Sequence, residues 1–207
     1  MKKLLVRLKP YLPIFYIIIT LLIIILLLML FCLIPTYYNW VFGEKVVQLH
    51  INEIIGNKTN DAEIAGTLMQ WVKENVVYPN NENKVNILDL DFYRVHNKTK
   101  FFWREGPASW IIKTKMGRCG EDANYFVGVM TQLGYKARKV KPVGKNPWDH
   151  AWAEYYNSEG IKIVLDPSSN QIISPNLNKW VENKSFTKIE AIDLKGNKED
   201  VTKEYTG

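Results

Sequence analysis

The chain has 207 residues, of which 47% are hydrophobic and 13% aromatic. This composition excludes global disorder and leaves, beyond an apolar N-terminal segment, enough residues for one domain with its own core. The net charge of +6 gives little reason to expect nucleic-acid binding: four of the 27 basic residues precede the first acidic residue, Glu44, and the remainder carries 23 basic against 21 acidic residues.

An apolar run marks the N-terminal part of the chain. Residues 14–34 carry no charge, and a helix of these 21 residues spans a bilayer core of about 30 Å. The four basic residues before the run predict that residues 1–13 stay cytoplasmic and that the chain from residue 36 onward faces outward. A cleaved signal peptide is the alternative; its apolar region is usually about 7–15 residues long and ends in a small-residue cleavage site, which this sequence lacks.

Residues 35–56 are predicted to link this transmembrane helix to a domain at residues 57–207. Within the linker, residues 46–51 fit a short strand and a helix equally well. A helix is predicted after Asn60, which can cap it, with Glu63 three residues on as in a capping box. Residues 79–99 are expected to form a long polar loop.

The second half of the sequence changes from helical to strand periodicity. Helices are predicted at residues 108–115 and 118–133, the second one capped by Gly134. Strands are predicted at residues 135–143, 149–156 and 161–166, and near residues 187–194 and 201–205. A polar turn at residues 157–160 indicates a β-hairpin. Helices first and antiparallel strands after them indicate the α+β class.

Cys119 is the one cysteine outside the apolar run, which contains Cys32. It lies at the N-terminal end of a predicted helix, where unpaired N–H groups and the helix dipole favour an anion, and the thiolate is the reactive form of cysteine. Gly120 removes bulk beside the sulfur, and the Cys119 N–H is placed to donate to an oxyanion. A buried, unreactive cysteine is the alternative.

His150 and Asp166 are the candidate partners of this thiol. A three-residue hairpin loop at 157–159 makes His150 face Asp166, whereas a two-residue loop puts them on opposite faces. We predict the first register, in which His150 accepts the thiol proton, and Asp166 orients the ring and stabilises the imidazolium. Trp152 and Trp103 are candidates for shaping the site, although an ordinary core position explains Trp152 equally well.

Four segments resemble the transglutaminase-like superfamily, which includes animal transglutaminases, peptide N-glycanases and microbial thiol hydrolases. They cover about residues 60–170: Gly117-Arg118-Cys119-Gly120-Glu121-Asp122-Ala123-Asn124-Tyr125-Phe126, Leu133-Gly134-Tyr135-Lys136-Ala137-Arg138, Asp149-His150-Ala151-Trp152-Ala153-Glu154 and Leu165-Asp166-Pro167. The resemblance implies a papain-like α+β core, with Cys119 on a helix packed against an antiparallel sheet that carries His150 and Asp166, and an acyl-enzyme mechanism on amide bonds.

The first and third segments are closest to peptide N-glycanases. The paired zinc cysteines of those enzymes are missing here, as are the extra β-domains of animal transglutaminases and the papain signature around the cysteine, so the substrate does not carry over.

We therefore expect a membrane-anchored, extracytoplasmic amide hydrolase or acyltransferase that acts on a protein or peptide without a cofactor. Zinc held by Cys119, His150 and Asp166 is a weaker alternative, because the sequence has no CxxC or HxxxH pair. A catalytically silent binding domain at the membrane surface is the second hypothesis. The sequence leaves open whether water or an amine accepts the acyl group, and it leaves the oligomeric state open.

Overall fold

The computed structural model describes residues 12–77, 105–144, 150–174 and 186–206. The elements in chain order are α1 (Leu12–Cys32), α2 (Ile34–Ile54), α3 (Asp61–Asn75), α4 (Ala108–Thr114), α5 (Cys119–Gln132), β1 (Ala137–Val143), β2 (Trp152–Tyr156), β3 (Lys162–Asp166), β4 (Gln171–Ile172), β5 (Lys188–Ile192), β6 (Lys198–Asp200) and α6 (Thr202–Thr206). The strands form one antiparallel sheet in the order β4-β3-β2-β1-β5-β6. The predicted α+β class is confirmed.

Helix α1 contains the apolar run. Its segment Pro13–Leu30 has a mean hydropathy of 3.1, and none of it is buried. Among the described residues it is the one helix that is long and apolar enough to cross a membrane, a property that signal sequences share. The chain turns at Leu33, and Pro35 then stands in the first turn of α2, where a proline needs no N–H partner.

Helix α2 occupies most of the segment predicted to be a linker, and residues 46–51 are therefore helical. One face of α2 joins the core built by α3 and α5 through Val47, Ile51 and Ile55. Each buried aliphatic side chain of this kind stabilises the fold by about 1.5–3 kcal/mol. The domain boundary expected at residue 57 thus falls inside a packed unit, because the second half of α2 shares its core with the elements that follow.

Helix α3 begins where its capping signal predicted. The Asn60 side-chain oxygen accepts a hydrogen bond from the Glu63 N–H at 3.1 Å, and Ile64, Leu68 and Val72 are buried. The start of α3 is also tied to the β-hairpin, because the Asp61 carboxylate accepts hydrogen bonds from the Ser158 N–H and hydroxyl at 2.7 and 2.6 Å.

Helices α4 and α5 lie unusually close together. A Cβ atom added at Gly128 of α5 would lie 2.5 Å from the Ala108 Cβ at the start of α4. Any residue larger than glycine at position 128 must push the two helices apart. On its apolar face α5 buries Ala123, Phe126 and Met130, as its periodicity predicted.

The hairpin of β2 and β3 has a different register from the predicted one. Its loop has five residues, 157–161, and Tyr156 pairs with Lys162. The Asn157 side chain lengthens the loop, because its oxygen accepts hydrogen bonds from the backbone N–H groups of Glu159 and Ile161. The shift is two residues, so every side chain keeps its predicted face. His150 and Asp166 consequently still share one face, diagonally instead of directly opposite.

The sheet is covered on both faces. One face packs against α5, and the other buries a second cluster that includes Val140, Trp152, Val164 and Tyr205. Tyr205 belongs to α6, so the strand predicted near residues 201–205 is wrong for most of its length. The Asp200 carboxylate explains this helix, because it accepts hydrogen bonds from the N–H and hydroxyl of Thr202, the first residue of α6.

Candidate active site

Cys119 is the first residue of α5, in the position predicted for it. The helix start is held by a capping box, in which the Glu121 carboxylate accepts a hydrogen bond from the Arg118 N–H at 3.1 Å. Glu121 and Asp122 stand in the first turn, and both are buried. The thiol is half-buried and forms no disulfide within the described residues.

The glycines beside the cysteine make room for carboxylates of the protein itself. A Cβ at Gly120 would lie 2.6 Å from a Glu105 carboxylate oxygen, and one at Gly117 would lie 2.6 Å from the Asp122 Oδ1. Glu105 is in turn ion-paired with Lys139. We expected Gly120 to leave space for a substrate. The Glu105 side chain already occupies the space on that side of the Gly120 backbone.

His150 lies just before β2, and Asp166 ends β3. The His150 Nε2 and the Asp166 Oδ2 are 2.8 Å apart. Asp166 is 3% exposed, and its second oxygen accepts hydrogen bonds from the N–H and hydroxyl of Ser168 at 3.1 and 2.6 Å. The turn after β3 therefore fixes the carboxylate, and the carboxylate fixes the ring.

The electrostatics of this pair favour a charged imidazole. Burial of His150 opposes protonation, but hydrogen bonds to Asp166 and Cys119 and their negative charges raise its pKa to about 9. Burial of Asp166 opposes ionisation, yet the hydrogen bonds from His150 and Ser168 hold the pKa of its carboxyl below the ordinary value. The structure thus places Asp166 against His150, and Cys119 also acts on this imidazole.

Trp152 stacks on the imidazole of His150, with ring centroids 6.4 Å apart and an interplanar angle of 26°. It is 1% exposed, and its indole N–H donates to the Tyr205 hydroxyl at 3.1 Å. Trp152 is therefore both a core residue and a neighbour of the site. Trp103, the other candidate for shaping the site, lies outside the described residues.

One buried polar side chain close to the site, that of Glu154, was not among the site residues predicted from the sequence. Glu154 is fully buried; it accepts a hydrogen bond from the Arg138 Nε at 2.6 Å and another from the Tyr205 hydroxyl at 2.7 Å. Arg138 and Glu154 are directly opposite each other on β1 and β2. Their opposite charges on neighbouring predicted strands were the available signal, but only a known register makes that signal usable.

His50 is separate from this site. Its ring is buried, and its Nε2 lies 2.7 Å from the Tyr125 hydroxyl. Burial lowers the pKa of His50 to about 4, with Glu53 acting in the opposite direction and Lys115 adding to the fall. His50 is thus a neutral packing residue. Within the described parts of the chain, no three His, Cys, Asp or Glu side chains are grouped as metal ligands.

Comparison with known proteins gives one clear match. Residues 50–181 match the sequence model of the "Transglutaminase-like superfamily", which is well over half of the chain. Curated relatives share the name peptide-N(4)-(N-acetyl-beta-glucosaminyl)asparagine amidase. The protein from Drosophila melanogaster is 37% identical over 75 residues (36% of this chain and 11% of that one), the one from Arabidopsis thaliana 38% over 98 (46% and 13%), and the one from Oryza sativa 33% over 125 (59% and 27%). The chain thus spans only a minor part of these relatives.

Two solved structures share parts of the fold at low identity. A protein from Cytophaga hutchinsonii, provisionally named a cysteine protease, aligns with a TM-score of 0.42 and 21% identity over 60% of this chain and 37% of that one. Rad4–Rad23 crosslinked to an undamaged DNA aligns with a TM-score of 0.49 and 15% identity over 86% and 47%.

Proposed function

The chain belongs to the transglutaminase-like superfamily, and from that premise we propose that it is a membrane-anchored cysteine hydrolase or acyltransferase that cleaves amide bonds outside the cytoplasm. The observation that carries the proposal is the His150 ring, held by Asp166 through Nε2 and hydrogen-bonded to the Cys119 thiol. A helix N-terminus supplies the nucleophile, and the two strands of a hairpin supply its base and the group that orients the base.

The proposed reaction has two half-reactions. The Cys119 sulfur attacks the amide carbonyl carbon and forms a C–S bond, while the carbonyl oxygen becomes an oxyanion. The backbone N–H of Cys119, at the first position of α5, is outside the intrahelical hydrogen bonds and is the candidate donor to that oxygen. His150 gives its proton to the departing amine as the C–N bond breaks.

The second half-reaction releases the acyl group. His150, now neutral, accepts a proton from water or from a primary amine as the new nucleophile attacks the thioester carbon. The C–S bond breaks, the thiolate returns, and the imidazolium is restored beside Asp166. Water gives hydrolysis and an amine gives acyl transfer. Protonation of His150, favoured by its pKa of about 9, suits the first half-reaction.

The substrate class is a protein or peptide amide near a membrane surface. Relatives named peptide-N(4)-(N-acetyl-beta-glucosaminyl)asparagine amidase support an amide, and the apolar surface of Pro13–Leu30, none of which is buried, supports a membrane anchor. The basic residues before α1 support an N-terminus in the cytoplasm. Because the chain spans only part of those relatives, the specificity of the whole relatives does not come with the match.

A silent binding domain is the competing function. The observation in its favour is that Glu105 occupies the space that a side chain at position 120 would take, one residue after Cys119. On that hypothesis the carboxylate keeps acyl groups away from Cys119.

The test uses the full chain in detergent micelles and iodoacetamide as the probe. At pH 6 we expect alkylation of Cys119, located by peptide mass spectrometry, at a rate at least tenfold above that of a free cysteine peptide, because an imidazolium stabilises the thiolate. Cys32→Ser is the matched control and should leave the rate unchanged, whereas His150→Gln should reduce it. Turnover of a peptide library should be lost in Cys119→Ser. A Cys119 that reacts only at alkaline pH would support the silent domain.

A further inference from the structure

Helix α6 contacts Trp152 beside the candidate site, although α6 lies outside the residues that match the family model. We propose that Tyr205 is a positioning residue: its hydroxyl locks the Trp152 indole, which in turn holds the His150 imidazole in its charged, stacked orientation. This proposal rests on the proposed function for its biological meaning, but the contacts that support it do not depend on that function. Residue 205 lies outside the matched range of 50–181, so the family match assigns it no role.

The contacts form a continuous chain from α6 to the imidazole. The Tyr205 hydroxyl donates to Glu154 at 2.7 Å and accepts from the Trp152 N–H at 3.1 Å, so both its donor and acceptor functions are used. The Trp152 ring then stacks on His150. Tyr205 and Trp152 also meet edge to face, with centroids 5.5 Å apart. Glu154, Tyr205 and Trp152 are buried, so water has little access with which to replace a lost bond among them, while the His150 side chain is partly exposed.

Charge fixes the direction of the hydrogen bonds that link Arg138, Glu154 and Tyr205. Arg138 keeps Glu154 paired, and a carboxylate can only accept. Burial raises the pKa of Tyr205 far above its usual range, so the hydroxyl stays protonated and donates to Glu154. Its lone pairs are then directed to the Trp152 N–H. The indole plane therefore cannot rotate without leaving a buried donor unpaired.

Among the described residues, charged groups lie at both ends of this series of contacts. Asp166 from β3 and Cys119 from α5 act on His150. Beside Tyr205, the Lys162 ammonium lies 5.2 Å from the ring centroid and is ion-paired with Glu204. None of these groups substitutes for the indole face, which favours a cation stacked on it. Loss of the Tyr205 hydroxyl should therefore destabilise the imidazolium through Trp152.

The experiment follows the His150 ring by NMR in the full chain in detergent micelles, labelled on histidine, of which the chain has three. In Tyr205→Phe we expect the pKa of His150 to fall by about half to one pH unit. Trp152→Phe should cause a similar fall, and adding Tyr205→Phe to it should cause no more. Tyr125→Phe is the matched control, since it removes an equally buried hydroxyl that contacts His50 instead.

An unchanged His150 titration in folded Tyr205→Phe overturns the proposal, as does a further fall when Tyr205→Phe is added to Trp152→Phe. If Tyr205→Phe fails to fold, Trp152→Phe decides the proposal, because an unchanged His150 titration in that variant removes the link through which Tyr205 acts. The titration needs no substrate, so an unreactive Cys119 in the alkylation assay would refute the proposed function while this measurement still decides the role of Tyr205.

Discussion

Replacing glycine by alanine should change stability in opposite directions in two helices, because only one of the two glycines lies at the close contact between α4 and α5. In Gly128→Ala the new Cβ lies 2.5 Å from the Ala108 Cβ. This distance is about 1 Å shorter than the 3.5–4.0 Å at which carbon atoms attract each other. The Ala108 Cβ is fixed to the backbone and cannot rotate away, so α4 itself must move. In Gly66→Ala, on α3, the new Cβ meets nothing within 4 Å.

The magnitudes follow from two opposing contributions. Alanine in place of glycine inside a helix stabilises by about 0.5–1 kcal/mol at both sites. Overpacking at position 128 costs about 1–3 kcal/mol, and we expect the upper part of that range because a backbone-bound atom is hit. Gly128→Ala should therefore lose about 1–2 kcal/mol, whereas Gly66→Ala should gain about 0.5–1 kcal/mol.

Thermal unfolding of the full chain in detergent micelles, followed by circular dichroism at one scan rate, measures both variants. At about 2–4 °C per kcal/mol, we expect a Tm fall of about 2–8 °C for Gly128→Ala and a rise of about 1–4 °C for Gly66→Ala. A Gly128→Ala protein as stable as the parent would refute the reasoning, because the close approach of α4 and α5 would then not exist in solution.

Three further predictions concern charged and polar side chains. Asp166→Asn should lower the pKa of His150 from about 9 toward 6.5, measured by histidine NMR, because the carboxylate supplies the first hydrogen bond that raises it. The neutral His50, whose pKa of about 4 lies below the 6.5 of the unfolded chain, should cause stability to be lost as the pH falls from 6.5 to 4; the unfolding free energy should drop by about 2–3 kcal/mol more than in His50→Phe. Asp61→Ala should cost about 1 kcal/mol in urea unfolding, because the Ser158 hydrogen bonds are lost.

Each of these predictions has a contrary outcome. A His150 pKa that moves by less than about half a unit in Asp166→Asn would assign its elevation to another group. Equal acid sensitivity of the parent and His50→Phe would mean that His50 is protonated in the fold. For Asp61→Ala, unchanged unfolding would show that the hairpin is held by its other contacts.

The parts of the fold set by neighbouring residues were predictable. Asn60 and Glu63 marked the start of α3, and Gly134 followed the end of α5, because caps and helical periodicity are local signals. The shared face of His150 and Asp166 was also predictable, since strand alternation depends only on parity. The register was not, because it depends on hydrogen bonds that the Asn157 side chain makes inside its own loop.

Other features depend on distant parts of the chain. Glu154 was not among the site residues predicted from the sequence, and its burial follows from Arg138 on the neighbouring strand and Tyr205, 51 residues away. Residues 46–51 fitted two interpretations until packing against α3 and α5 selected a helix. The local sequence pattern does not predict these features, because burial against distant parts of the chain decides them and intrinsic propensity does not.

The packed α2 sets how far the domain can travel from its anchor. A flexible chain of the 22 residues from 35 to 56 would have an end-to-end distance of about 25 Å and would let the domain sweep a wide zone. Because α2 is helical and its second half belongs to the core, only the turn at Leu33 separates α1 from the folded unit. With α1 in a bilayer, the Cys119 thiol would be confined to a narrow zone beside the membrane. The distance of a substrate amide from the lipid surface would then decide whether it can reach the thiol, before any preference of the site for particular side chains.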